Sequence, residues 1–455
     1  MNQNLFKQMH KLLEEKRFTE LIPLLAGIDA VDAADFYSTL PFEYRLSVFR
    51  MLPKDTAAEL FAELEPDEQE EIILTTKDTD LGALLEELST DDAADMLEEL
   101  PAGMVDRILR HATPETRATL NRFLSYPEGS VGSVMGAEYI DLKESITVAD
   151  AIAAIRKTGM NDENVYVAYI TDQKRHLRGV VPLRSLLFAK PDQKLCDIMQ
   201  KDPVSVGTHD DREIASALIA KYDLLALPVT DSEGRLCGSL TIDDAMDVME
   251  EEATEDIEKM AAITPNDKPY LKTSPLAIWK NRIPWLLLLM VSATFTGMII
   301  SGFEEKLAAS VILTSFIPML MDTGGNSGSQ ASVTVIRSLS LGDISVRDYR
   351  RVIWKELRVA ILCALALAGA SFVKMLLIDR LLLQNPSVTL PVITVVSLTL
   401  IITVIVAKLV GATLPLLAKR LGFDPAVMAS PFITTIVDAI SLLVYFGVAS
   451  SVLGL

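Results

Sequence analysis

From residue 283 to the C-terminus the chain carries five apolar stretches, near 283–302, 308–334, 352–376, 390–417 and 427–453. Each is long enough to cross a bilayer as a helix. Lipid admits few folds, because every backbone polar group must be satisfied within the protein. An all-α transmembrane domain of five helices is therefore expected over 276–455. The last stretch is the most informative: from Ala426 to Leu455 its one formal charge is Asp438, near the middle. A carboxylate at the bilayer centre costs at least ~2.5 kcal/mol on insertion scales. Ser430, Thr434, Asp438, Ser441 and Tyr445 follow at steps of three or four, which makes one polar stripe on a helix. Two readings fit: a cation pathway lined by Asp438, or a protonated Asp438 hydrogen-bonded to a neighbouring helix.

The second stretch is irregular: Ile317-Pro-Met-Leu-Met-Asp-Thr-Gly-Gly-Asn-Ser-Gly-Ser-Gln-Ala331. Asp322, Asn326, Gln330 and three glycines are costly against lipid and are tolerated at depth where protein or water surrounds them. It is no phosphate loop, since it lacks the Gly-Lys-Ser/Thr ending. Small residues also let helices approach closely. Both roles can hold, with glycines packing and the amides Asn326 and Gln330 lining a path beside Thr434 and Ser441.

Charge divides the chain. After residue 270 there are 9 acids and 15 bases, and before it 53 acids and 27 bases, so a front of net charge −26 joins a back of +6. An acidic surface repels nucleic acid and attracts cations. Bases gather between the second and third stretches (Arg337, Arg347, Arg350, Arg351, Lys355, Arg358) and between the fourth and fifth (Lys419, Arg420). The positive-inside rule places those loops, and with them the front half, in the cytosol, and the C-terminus outside. The N-terminus shows no apolar core of a signal peptide. Cys196, Cys237 and Cys363 have neither disulfide nor zinc spacing.

Residues 1–128 repeat a proline at steps near twelve or thirteen, at Pro41, Pro53, Pro66, Pro101 and Pro114, with one beat missing near Lys77. Proline suits a helix start, so a solenoid-like domain of short stacked helices is expected. Residues 129–252 hold a second repeat, divided as 131–193 and 194–252. Val134-Met135 answers Ile198-Met199, Ile170-Thr-Asp172 answers Val229-Thr-Asp231, and Gly179 answers Gly238. The offset falls from 64 to 59, and each copy reads strand, helix, strand, turn, strand, helix. This α/β pattern resembles a tandem CBS-domain pair. That resemblance implies adenosine-nucleotide binding, with ribose held by Thr241 and Asp244 of Thr241-Ile-Asp-Asp244. The first copy has Pro182-Leu-Arg-Ser185 in the matching place.

The run from Asp243 to Met260 is helical, with Met246, Met249, Ala253, Ile257 and Met260 on an apolar edge and carboxylates elsewhere. Crowded like charges destabilise a helix. They are either a solvated face or a place for hard divalent cations. Asp91, Asp92 and Asp95 open an N-domain helix, where carboxylates suit the dipole.

Taken together, this multidomain membrane protein resembles the MgtE family of magnesium channels over essentially its whole length. The most specific stretches are Pro318 to Gln330, Glu252-Ala-Thr-Glu-Asp256 and Pro431-Phe-Ile-Thr-Thr-Ile-Val-Asp438. The resemblance implies a transport protein rather than an enzyme, a homodimer in the cell membrane, and a pore on the two-fold axis with Asp438 holding hydrated Mg2+. It further implies a connecting helix, 253–275, that shuts the pore when cytosolic Mg2+ binds. The sensor acids implied are Asp211, Glu213, Asp223, Asp243, Asp244, Asp247, Glu252, Glu255 and Asp256, faced by Asp91, Asp92 or Asp95. Asp322 is an extra acid in the motif and bears on selectivity. The alternatives are a Na+- or H+-coupled divalent cation transporter that also takes Co2+, and a nucleotide-responsive receptor.

Overall fold

The computed structural model describes residues 3–98, 100–158, 166–266, 270–271, 273–304, 310–428 and 430–454. The chain divides into two compact units, Met1–Met249 and Glu250–Leu455.

The first unit opens with short helices. Pro41, Pro53 and Pro101 stand just before Phe42–Met51, Lys54–Ala62 and Ala102–Leu109, and Pro66 and Pro114 are the first residues of their helices. The missing beat is filled by Lys77, which precedes Asp78–Leu85. Proline has no N–H to lose there and its φ is already helical. Alternate helices pack: Ala30–Ser38 on Lys54–Ala62, that on Asp78–Leu85, and that on Ala102–Leu109. Helix α1 (Thr90–Glu98) packs on the Val131–Val134 turn that leads into the α/β part.

The α/β repeat is visible strand by strand. β1 (Ile140–Lys143) lies parallel to β2 (Val167–Thr171), and β2 is antiparallel to β3 (Leu177–Pro182). β4 (Gln200–Lys201) completes that sheet. In the second copy β5 (Val206–Gly207) is parallel to β6 (Ala226–Thr230), which is antiparallel to β7 (Leu236–Thr241). Both hairpins carry a register shift at the same place, Ile170/Thr171 and Val229/Thr230. The extra residues of the first copy fall between α2 (Val148–Thr158) and β2, where 159–165 lie outside the described residues. The copies interlock through two glycines. A Cβ on Gly179 would meet Met199 Sδ at 2.8 Å, and one on Gly238 would meet Met135 Sδ at 2.5 Å. Each copy's third strand thus sits under the methionine that begins the other. Helix α3 (Arg212–Tyr222) precedes β6, and α4 (Ile242–Met260) leaves β7 and runs across the boundary between the units. The expected connecting segment 253–275 begins as the second half of α4; the helix stops at Met260, and Ala262 has φ 55°. Residues 267–269 and 272 lie outside the described set.

The second unit is helical: α5 (Pro275–Gly302), α6 (Ile317–Ser340), α7 (Tyr349–Lys374), α8 (Leu390–Leu421) and α9 (Ser430–Leu453). Among the described residues four segments are long and apolar enough to cross a membrane, 275–302, 346–382, 390–421 and 425–453. This corrects the expectation of five apolar spans. The stretch 308–334 is a short 3-10 segment, Val311–Phe316, followed by α6, and positions 308 and 309 lie outside the described residues. Helix α6 falls short in apolarity because Asp322, Asn326 and Gln330 are exposed along one edge. Its opposite face is packed. A Cβ on Gly324 would meet Thr403 at 2.8 Å and Val437 at 3.0 Å, and one on Gly411 would meet the Gly328 carbonyl oxygen at 2.1 Å. The α6 and α8 backbones therefore touch, an approach that the paired glycines permit.

Candidate functional site

Three groups of ionisable residues stand out. The first lies in the membrane unit. Asp438 is half-buried on α9, and the Asp322 carboxylate is within electrostatic range of it. Asn326 Nδ2 donates to Asp322 Oδ1 at 3.1 Å, one helical turn away. Thr434 Oγ1 donates to the Pro431 carbonyl at 2.9 Å. The expected stripe does not stay one surface. Tyr445 is fully buried and donates to the Leu313 carbonyl at 2.9 Å, so it anchors α9 to the 3-10 segment. Among the described residues Ser441 is buried without a hydrogen-bond partner, and the Ser430 side chain lies outside them. A cavity of about 460 Å³ is lined by Asp322, Asn326 and Gln330 of α6, Cys363 and Leu367 of α7, and Lys408 of α8.

The second group lies in the first unit, where α1 meets the start of α4. Asp244 is pushed up to about 7, first by burial and then by Asp91, with Asp243 adding and the Thr241 hydrogen bond opposing. The Thr241 hydroxyl donates to Asp244 Oδ2, and the Thr241 N–H does so at 3.2 Å. Crowding by protein and the carboxylates of Asp91, Glu138 and Asp243 raise Asp92, while Ser89 donates to it at 2.6 Å and opposes the shift. Glu63 is raised by burial, then by Asp92 and Asp247. Glu138 accepts from Thr90 Oγ1 at 2.5 Å and from the Thr90 N–H at 3.3 Å, so it caps α1 from the α/β side. Like charges this close raise carboxylate pKa values because ionising one disfavours the next.

The other implied acids are elsewhere. Asp211 caps α3 by accepting from the Glu213 N–H at 2.9 Å, and Asp223 ends that helix in the left-handed region at φ 51°. Asp95 is exposed on α1. Glu252, Glu255 and Asp256 belong to the membrane unit. There Ser340 donates to Asp256 at 3.0 Å, and Lys259 pairs with both Glu255 and Asp424. Burial raises Asp256, with the Ser340 hydrogen bond opposing. Among the described residues no three His, Cys, Asp or Glu side chains are placed to hold a metal ion. These acids act on one another electrostatically. Sequence reasoning missed Glu63, Glu138, Asp424 and Lys408. For Lys408 the signal was present, a charge inside an apolar stretch, the same signal that singled out Asp438.

Residues 28–129 match the family described as the MgtE intracellular N domain, 195–251 match the CBS domain, and 317–448 match MgtE, a divalent cation transporter. Over 453 residues the chain is 37% identical to the magnesium transporter MgtE of Thermus thermophilus, covering 99% of this chain and 98% of that one. It is 29% identical over 444 residues to the magnesium transporter MgtE of Bacillus subtilis, covering 97% and 95%. Among solved structures it resembles the cytosolic domain of the Mg2+ channel MgtE in complex with ATP, at 36% identity and a TM-score of 0.51, over 53% of this chain and 99% of that one. It also resembles the soluble part of a magnesium transporter, at 27% identity and a TM-score of 0.53, over 55% and 99%. Helical membrane unit, N domain and CBS domain together define a membrane-embedded transporter of divalent cations, and no enzyme. The chain belongs to the MgtE family of magnesium transporters.

Proposed function

We propose that the protein is a Mg2+-selective channel of the cell membrane, acting as a homodimer with Asp438 at the selective site. The observation that carries the reading is the exposed edge of α6, with Asp322, Asn326 and Gln330, beside half-buried Asp438. Such an edge cannot face lipid. A second copy across a two-fold axis gives it a water-filled path, and α6 then serves as the fifth crossing, with the C-terminus outside. Mg2+ loses its waters reluctantly, so a pair of Asp438 side chains holds the hydrated ion through its waters and selects by size and charge.

Cytosolic Mg2+ closes this channel. The alternate-helix stacking of the N-domain supports a solenoid-like body that presents Asp91 and Asp92 to Asp243, Asp244 and Asp247. Their mutual repulsion is relieved when cations bridge them. Each arrangement then has its own affinity for Mg2+, which is what a ligand-driven switch needs. ATP binds at Thr241 and Asp244, a reading supported by the relative solved with ATP; it competes with the internal bond between those two residues. The test is Mg2+ flux into proteoliposomes with and without Mg2+ on the cytosolic face. Flux that falls as cytosolic Mg2+ rises is expected, and single-channel steps separate a channel from a coupled transporter. Flux indifferent to cytosolic Mg2+ removes the sensor.

A further inference from the structure

Lys408 is the unexplained charge of the membrane unit. Its residue is 5% exposed on α8, and it lines the cavity that Asp322, Asn326 and Gln330 border. Among the described residues its ammonium makes no ion pair or hydrogen bond. It cannot reach an interface by snorkelling. Lys408 stands nine residues before the end of the apolar stretch 390–417, roughly 14 Å of helix, and the lysine stem is shorter than that. One turn beyond it, Gly411 locks α8 against Gly328 of α6. The lysine is therefore held beside the polar residues of α6 by a close glycine-to-glycine helix crossing. A buried intramembrane charge faces a polar cavity or a partner and marks an ion path.

We propose that Lys408 is a fixed counter-charge to Asp322 that loosens the grip of the intramembrane path on divalent cations. Charges lining a cavity of about 460 Å³ are on the order of 10 Å apart, a distance over which attraction and repulsion persist inside protein. Asp322 and Asp438 acting together would hold a dication tightly. Conduction needs binding favourable enough for entry and weak enough for release. One ammonium in the cavity that Asp322 lines reduces the net charge that a passing dication meets there. The inference deepens the reading of the path as a Mg2+ route and rests on it.

Cys363 lines the same cavity and reports on it directly. In the full-length protein with Cys196→Ser and Cys237→Ser, the rate of Cys363 modification is measured with a cationic and with an anionic methanethiosulfonate, across a Mg2+ titration. Lys408→Gln is expected to shift the rate ratio toward the cationic reagent and to lower the Mg2+ concentration that half-protects Cys363 by about threefold or more. Lys408→Arg, which keeps the charge, is expected to match the parent. Where Lys408→Gln does not assemble, Asp322→Asn serves, and it is expected to raise the half-protecting concentration by about threefold. An unchanged ratio, an unchanged midpoint, or no Mg2+ protection in any variant overturns the proposal. Loss of Mg2+ flux in the parent with the protection shift intact instead overturns the channel reading and leaves the counter-charge standing.

Discussion

The Lys259 ammonium stands 2.7 Å from the Asp424 carboxylate, joining the last turn of α4 to the loop before α9. Asp424 also accepts from the Ala426 N–H at 2.8 Å and so starts the turn that leads into the helix bearing Asp438. Burial works against the Lys259 charge, but hydrogen bonds to Asp424 and Glu255 outweigh it and hold the lysine above its ordinary range. The pair couples the acidic helix to the entry of α9 by a direct contact. Both side chains are part-exposed, so the pair is worth about 1 kcal/mol. Lys259→Met is expected to raise residual flux at saturating cytosolic Mg2+ several-fold. The exchange Lys259→Asp with Asp424→Lys is expected to restore it. Tracer uptake into proteoliposomes is the measurement, and equal residual flux in all three proteins would separate this contact from closure.

Asp438→Asn keeps the volume and removes the charge. Flux is expected to fall about tenfold or more, equivalent to about 1.4 kcal/mol. The dimer measured by light scattering should be unchanged. Wild-type flux in this variant would move the selective site elsewhere.

Asp244 makes stability pH-dependent. Its pKa is raised from 3.8 to about 7. A raised carboxylate pKa means the folded state binds the proton more tightly than the unfolded chain. The stabilisation is full below the unfolded value and is lost as pH rises through about 7. In the absence of divalent cations, Asp244→Asn is therefore expected to raise the unfolding temperature at pH 8. It should also flatten the slope between pH 4 and 7. An identical pH profile for the two proteins would show that Asp244 ionises without cost.

Gly411→Ala places a Cβ 2.1 Å from the Gly328 carbonyl oxygen, so backbone must move. Overpacking of this kind costs about 1–3 kcal/mol, more than the helix propensity that alanine adds. Gly369→Ala is the control, since among the described residues nothing beyond its own helix lies within 4 Å of its Cβ position. Thermal unfolding in detergent should drop by several degrees for the first and not for the second. Equal behaviour would mean that the crossing is slack.

Much of the architecture was legible in local pattern. Prolines marked helix starts because their missing N–H and fixed φ act within a few residues. The paired strands of the two copies were readable because short apolar runs bounded by turns are local too. The span count failed at α6 for a physical reason. A helix with glycines against its neighbours and amides on its open edge is not apolar enough to count as a span by length and hydropathy.

The site divides the same way. Asp438 was readable from sequence because one charge in thirty apolar-rich positions is a local anomaly with a calculable cost. The acids of the sensor reading were readable only as a composition. Which of them meet was decided by packing: Glu138 caps α1 at Thr90, 48 residues away in sequence, and Asp92 and Asp244 feel Asp243 and Asp91 across that same region. Asp211 and Asp223 sit at the two ends of their own helix. Lys408 could be seen as a charge, but the cavity it shares with Asp322 exists only once Gly328 and Gly411 bring two helices into backbone contact. Hydropathy, charge and turn chemistry act over a few residues, so the sequence by itself determined the membrane partition, the repeats and the elements. Electrostatic neighbours separated by tens to more than a hundred residues depend on how those elements pack, and only the tertiary structure decided them.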